Sequence, residues 1–62
     1  MKEHYAVIHR GPVYELWTAD AAGEDKRLLS KTASKADALS LYDALKAAAG
    51  WQPGELPREV RP

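Results

Sequence analysis

Two histidines are the only imidazole side chains of this sequence, and they are the first residues to consider for metal chemistry. His4 and His9 lie five residues apart in a stretch with the composition of a β-strand. Successive side chains of a strand point to opposite faces, so an odd spacing separates the two imidazoles. The chain has no cysteine, which excludes a thiolate cage. We therefore expect no metal and no cofactor.

Hydroxyl and carboxylate side chains are the next candidates for catalysis. None of the serines follows the strained glycine turn that exposes a nucleophile: Ser30, Ser34 and Ser40. Four carboxylates are expected to be solvated, because they lie in a turn, at a helix start or on the solvent side of a helix: Glu24, Asp25, Asp37 and Asp43. The four glycines are scattered, without the spacing of a phosphate-binding loop. The sequence therefore predicts a non-enzymatic protein.

The element that must position everything else is a helix from Ser34 to Gly50. Six of its residues form one apolar stripe and predict its buried face: Ala38, Leu41, Tyr42, Leu45, Ala48 and Ala49. Ser34 is a suitable N-cap, with Asp37 in the first turn, and Gly50 suits the left-handed conformation that ends a helix. Trp51 follows directly. We expect it to pack near Leu45, and a solvent-facing recognition anchor is the alternative.

Three short segments before the helix have strand character: Tyr5 to His9, Val13 to Thr18, and Lys26 to Lys31. Gly11-Pro12 predicts a type II′ hairpin turn between the first two, and a four-residue loop from Arg10 gives the same register. That register pairs Val7 with Leu16, His9 with Tyr14, and Tyr5 with Thr18 on one face. On the other face it pairs Ala6 with Trp17, Ile8 with Glu15, and Arg10 with Val13. The adjacent leucines of the third segment, Leu28 and Leu29, are expected on opposite faces.

The order of these elements predicts an α+β fold. A three-stranded antiparallel sheet, made of a β-hairpin plus a third strand, packs on one C-terminal α-helix. Asp20 and Gly23 are expected to form the turn that leads to the third strand. Residues 1–50 then form a single domain, and residues 51–62 form a flexible, proline-rich tail. Leu56 and Val60 are the residues by which this tail is expected to anchor on a neighbour.

Size and charge bound the partners of the chain. A domain of 62 residues buries only about 60% of the surface that it exposes when unfolded, and no disulfide compensates. Association is then the usual route to stability, and we expect a homo-oligomer, in the simplest case a dimer. Nine basic and nine acidic residues balance, so no net field attracts nucleic acid or anionic lipid. Without a secretion signal or an apolar membrane-spanning run, we expect a cytoplasmic protein of bacterial or phage type with no membrane contact.

One helix can cover only one face of the sheet, although both faces carry apolar residues. The pattern does not determine which face is covered. We expect the open face, or an exposed edge strand, to bind a second copy or another protein partner. The first choice of contact residues is Ile8, Val13 and Trp17, followed by Tyr5, Tyr14 and Arg10. The alternative is that the tail crosses this face and covers it. The predicted function is thus that of a small interaction or regulatory protein.

Nucleic-acid binding is the alternative function, because a three-stranded sheet supported by one helix can lie in a groove of DNA. In the order of its elements alone, the stretch from about His4 to Gly50 resembles the arm-binding domains of tyrosine integrases. It equally resembles several small uncharacterised bacterial domains. The candidate phosphate contacts are Arg10, Lys26, Arg27 and Lys31. Acidic residues lie close to these cations in the sequence, so we expect binding to be weak and to fall with salt.

Overall fold

The computed structural model of the chain describes residues 2–55, 57 and 60. Its elements follow the order β1 (His4–Arg10), β2 (Val13–Ala19), β3 (Arg27–Thr32) and α1 (Lys35–Ala48). The strands form one antiparallel sheet in the order β1-β2-β3. The fold is therefore α+β, with three antiparallel strands and one helix, as the sequence predicts. The third strand begins and ends one residue later than predicted.

The hairpin of β1 and β2 has the predicted register, and all six predicted pairs are present. Gly11 has a φ of 55°, a conformation that glycine adopts without the steric cost that other residues carry. Pro12 supplies the negative φ of the second turn position. This two-residue connection fits the expected type II′ turn, whose twist matches that of the flanking strands.

Residues that stand opposite each other share a face of the sheet, so the register defines two faces. What we call the Trp17 face carries His4, Ala6, Ile8 and Arg10 from β1, Val13, Glu15, Trp17 and Ala19 from β2, and Leu28 and Lys31 from β3. The helix face carries Tyr5, Val7 and His9 from β1, Tyr14, Leu16 and Thr18 from β2, and Ser30 and Thr32 from β3.

The third strand contains a bulge. Leu16 stands opposite Ser30 and Trp17 opposite Leu28, so Leu29 is an extra residue without a partner on β2. A bulge interrupts the strict alternation of side chains. Leu28 lies on the Trp17 face, and the split of the two leucines between opposite faces stays a prediction. Leu28 and Leu29 are 40% and 46% exposed. Neither leucine is a core residue of the domain.

The helix α1 covers the helix face of the sheet. It contacts all three strands, and its Ala38 is buried. Leu16, on the helix face, is only 1% exposed. Among the described residues, the buried cluster on the Trp17 face consists of Ala6, Ala19 and Val60 with Trp17 beside it, and it includes no side chain of α1. Because the helix contributes nothing to that cluster, it lies on the opposite side.

The buried stripe of α1 is narrower than predicted. Ala38 is buried, and the later residues of the same stripe are half-buried: Tyr42, Leu45 and Ala49. Leu41 is 40% exposed, and Ala48 is exposed as well. On a helical wheel these two residues lie about 60° and 80° to one side of Ala38, at the border of the stripe. The prediction that they belong to the buried face is wrong, because the helix meets the sheet along a single line of contact.

Both ends of α1 have the predicted caps. The Ser34 hydroxyl accepts a hydrogen bond from the backbone N–H of Asp37 at 3.2 Å. At the other end the N–H of Trp51 donates to the carbonyl of Lys46 at 3.0 Å, and the N–H of Gly50 donates to the carbonyl of Ala47 at 3.1 Å. This pair of bonds is a Schellman motif, in which the residue after the cap is left-handed. Gly50 has the required φ of 95°.

We expect Gly50→Ala to lower the free energy of unfolding by about 1–2 kcal/mol, because a side chain at this φ is strained. A Cβ at this position meets only the end of the Lys2 side chain, at 4.0 Å, so the cost comes from the backbone and not from a clash. Urea denaturation monitored by circular dichroism measures the change. Gly50→Asn is the control, since asparagine tolerates the left-handed region, and it should cost less than Gly50→Ala. Equal losses for both variants would contradict this explanation.

The turn between β2 and β3 is built around Asp20, as predicted. Its carbonyl accepts the N–H of Gly23 at 2.9 Å, and its carboxylate accepts the N–H groups of Ala22 at 3.0 Å and Glu24 at 2.8 Å. The carboxylate of Asp20 thus satisfies two backbone donors of the turn, which is the reason this residue type is favoured there.

Beyond α1 the chain runs along the start of β1. The indole N–H of Trp51 donates to the carbonyl of Glu3 at 2.8 Å. The Trp51 ring lies 5.5 Å from the ring of His4, and the ammonium of Lys2 lies 4.8 Å from its centroid. Trp51 is half-buried. It therefore joins the end of the helix to the first strand.

A tight turn at Gly54 follows. The Glu55 carboxylate accepts the backbone N–H of Gln52 at 2.7 Å and lies 3.2 Å from the ammonium of Lys2. The hydrogen bond from Gln52, and then the hydrogen bond from Lys2, lower the pKa of Glu55. Trp51 and Glu55 are in this way tied to the residues at the start of β1.

Val60 covers part of the Trp17 face. Val60 is 2% exposed and packs on Ala6 and Ala19, with Trp17 against the same cluster. The alternative that the tail crosses and covers the open face falls largely on residues outside the described part of the chain, and of that segment Val60 lies on this face. Val60 anchors the tail on its own sheet, and Leu56, the other predicted anchor, lies outside the described residues.

Candidate interaction surface

The part of the Trp17 face that Val60 leaves uncovered is the candidate functional surface. Ile8, Val13 and Trp17, the first choice of contact residues, all lie on this face and are half-buried. Leu28, which stands opposite Trp17, is 40% exposed. We call Ile8, Val13, Trp17 and Leu28 the open patch. It is apolar, and its members come from all three strands.

A polar network fixes the centre of this surface. The Glu15 carboxylate is buried, and its Oε1 accepts the indole N–H of Trp17 at 3.0 Å. The same oxygen lies 3.2 Å from Nε of Arg10, whose side chain is half exposed. Burial of a carboxylate is tolerated when it is paired and hydrogen-bonded, as here. The network neutralises the buried charge and fixes the orientation of the Trp17 ring.

The second group of predicted contact residues is divided between the faces. Arg10 lies on the Trp17 face, whereas Tyr5 and Tyr14 lie on the helix face. Tyr5 is 6% exposed, and its hydroxyl donates to the Glu3 carboxylate at 3.0 Å. Burial, reinforced by this carboxylate, raises the pKa of Tyr5. Its ring is therefore enclosed between the sheet and the helix and offers little surface to a partner.

Tyr14 stacks on His9 as the register predicts. The two rings are 4.3 Å apart at their centroids and inclined by 7°. Among the described residues no three histidine, cysteine, aspartate or glutamate side chains are grouped so that they can hold a metal ion. His4 stands on the Trp17 face, opposite Ala19, so the two imidazoles occupy opposite faces as predicted.

The four predicted phosphate contacts do not share one surface. Arg10 and Lys31 lie on the Trp17 face, Arg27 pairs with Thr18 of the helix face, and Lys26 precedes β3. Arg10 is paired with Glu15, and the Arg27 guanidinium lies 3.1 Å from the carboxylate of Asp25. Both arginines thus already face a carboxylate. Nucleic-acid binding stays a prediction.

Sequence reasoning did not select Leu28 or Leu29 as contact residues. The regular alternation expected for β3 assigned one leucine to each face, and nothing in the run K-R-L-L-S-K marks the bulge. The signal that was available is the pair of adjacent leucines itself. On an edge strand with a helix on one side only, at least one of them must stay uncovered.

Membrane-spanning helices and similarity to known proteins are the two remaining features that bear on function. In the described part of the chain no helix is long and apolar enough to span a membrane. The chain has no significant match to any protein-family model, to any curated protein or to any solved structure.

Proposed function

We propose that this chain is a small non-enzymatic interaction protein that pairs with a second copy through the open patch. The observation that carries the proposal is the exposure of Leu28, at 40%, beside a half-buried Trp17 on the face away from the helix. Contiguous exposed apolar side chains of this kind mark association sites. Tryptophan is also the residue type most enriched among the residues that dominate binding energy.

Charge supports a second copy as the partner. The one buried carboxylate of the face, that of Glu15, is neutralised by Arg10 of the same chain, and the whole chain carries nine basic and nine acidic residues. Two copies therefore meet without net repulsion. A two-fold axis through an apolar, internally neutralised patch places the same residues against each other, which is the usual geometry of homodimers.

The thin core supports the same conclusion. Among the described residues Leu16 is the only large side chain with less than 2% of its surface exposed. A chain of 62 residues with so little fully buried apolar volume gains stability from further burial. Pairing through the open patch supplies that burial without a change in the fold of either copy.

Leu28→Glu is the test of this proposal. We expect sedimentation equilibrium at micromolar concentration to show a dimer for the unsubstituted chain. The variant should have a dissociation constant about 10- to 100-fold higher, because one leucine side chain loses its burial. Leu28 is exposed in the single chain, so the helical circular dichroism signal should be unchanged.

Leu41→Glu is the matched control for this experiment. Leu41 has the same 40% exposure as Leu28 but lies on α1, on the other side of the sheet. It should leave the dissociation constant unchanged. A single chain that remains monomeric at high concentration, or equal effects of the two substitutions, would overturn the proposal. A host protein retained by the unsubstituted chain but not by Leu28→Glu would instead replace the second copy by another partner.

A further inference from the structure

The Val60 side chain packs into a small depression on the surface of the sheet. Ala6 and Ala19 form its floor, and Trp17 packs against the same cluster. Ala6 stands opposite Trp17, and Ala19 follows Trp17 by two residues on the same face of β2. Because alanine side chains are small, Ala6 and Ala19 leave room on the sheet for one β-branched aliphatic side chain. Val60 fills it so completely that only 2% of the residue remains exposed.

This contact is separate from the contacts that hold the rest of the tail. Residues 51–55 are attached to the start of β1 through the bond from Trp51 to Glu3 and the ion pair of Glu55 with Lys2. Val60 lies five residues beyond Glu55, on the Trp17 face. Among the described residues of the tail, Val60 is the one that enters the buried cluster. A single buried aliphatic side chain is a weak anchor by itself, because its burial must offset the conformational entropy that the chain loses.

We propose that the pocket of Ala6, Ala19 and Trp17 is a peptide-binding subsite that also accepts the C-terminal segment of a second copy. The ligand is a segment with one valine between charged residues, as in P-R-E-V-R-P of this chain. The identity of the partner rests on the proposed pairing through the open patch, which adjoins the pocket at Trp17. In the single chain the tail fills the subsite by itself, at an effective concentration of about millimolar, and competes with the incoming segment.

The test uses the full-length chain with Val60→Asp, which empties the pocket of its own tail. The probe is a synthetic peptide of residues 55–62, E-L-P-R-E-V-R-P, which has no aromatic residue. Titration is followed by two-dimensional NMR of the labelled protein. We expect saturable shifts at the amides of Ala6 and Ala19 and at the indole N–H of Trp17. The indole N–H of Trp51 gives a separate signal and serves as the internal reference.

A peptide with aspartate in place of the valine is the matched control, and it should bind at least tenfold more weakly because it lacks the buried side chain. Equal binding of the two peptides, or no saturable shift at the three named positions, would overturn the subsite. If Val60→Asp does not fold, Val60→Ala is titrated in its place, since alanine also leaves most of the pocket empty without placing a charge there.

Failure of this inference is distinguishable from failure of the proposed function. Absence of peptide binding, together with a dimer that Leu28→Glu dissociates, removes the subsite and leaves the pairing. Peptide binding to a chain that stays monomeric at every concentration removes the pairing and supports the subsite.

Discussion

Leu16→Ala should lower the free energy of unfolding by about 2–5 kcal/mol, the range for removing a leucine side chain from a protein core. Leu16 is 1% exposed, at the centre of β2, with strands on both sides and α1 on the helix face. A domain of 62 residues has a total stability of about 3–9 kcal/mol. The substitution therefore removes a large part of the total, and urea denaturation at 25 °C should show a midpoint at a clearly lower urea concentration.

The control for this prediction is Leu39→Ala, which removes the same atoms from an exposed position of α1. Alanine has a slightly better helix propensity than leucine, so the stability should change by no more than about 0.5 kcal/mol. If Leu16→Ala costs less than about 1 kcal/mol, the side chain is not enclosed between sheet and helix.

Glu15→Ala should cost about 1–3 kcal/mol, because it leaves the indole N–H of Trp17 without its acceptor in a partly buried position. The bond that is lost is 3.0 Å long, and the ion pair to Arg10 is lost with it. The loss should also free the Trp17 ring to turn, which shifts the fluorescence and the NMR signal of its indole N–H. Chemical denaturation measures the energetic part.

Glu15→Gln separates the two functions of the carboxylate. The amide oxygen of glutamine still accepts from Trp17, whereas the charge that faces Arg10 is gone. Because the Arg10 side chain is 56% exposed, its ion pair is expected to contribute less than about 1 kcal/mol. We expect Glu15→Gln to be clearly more stable than Glu15→Ala and to keep the indole signal near its original position. Equal destabilisation by the two variants would show that the hydrogen bond to Trp17 does not matter.

The hairpin and the helix ends could be predicted because each depends on signals within a few residues. Gly11-Pro12 fixes the turn, and the turn length fixes every pair of β1 and β2. Ser34 and Gly50 mark the helix ends through bonds to residues no more than four positions away. In these places the local chemistry and the final structure agree.

Three features could not be predicted from local sequence patterns: the bulge in β3, the packing of Val60 on the sheet and the burial of Glu15. The bulge depends on how β3 fits beside a strand about twelve residues earlier. Val60 reaches Ala6 across most of the chain, and no periodicity links them. The Glu15 network was nearer to being found, since the predicted register already placed Arg10, Glu15 and Trp17 on one face. The sequence pattern did not indicate that the Glu15 carboxylate is buried, and this burial is what makes its pairing necessary.

The irregular outer strand limits how this protein can assemble. Sheets that grow indefinitely do so by adding flat, regular strands to a free edge. The free edge here is β3, where the extra residue Leu29 bends the strand and interrupts the regular spacing of its backbone hydrogen-bonding groups. At the opposite margin the Trp51 indole occupies the Glu3 carbonyl. Polymerisation into fibrils through backbone pairing is thereby discouraged, which is compatible with the proposed pairing of two copies through the open patch.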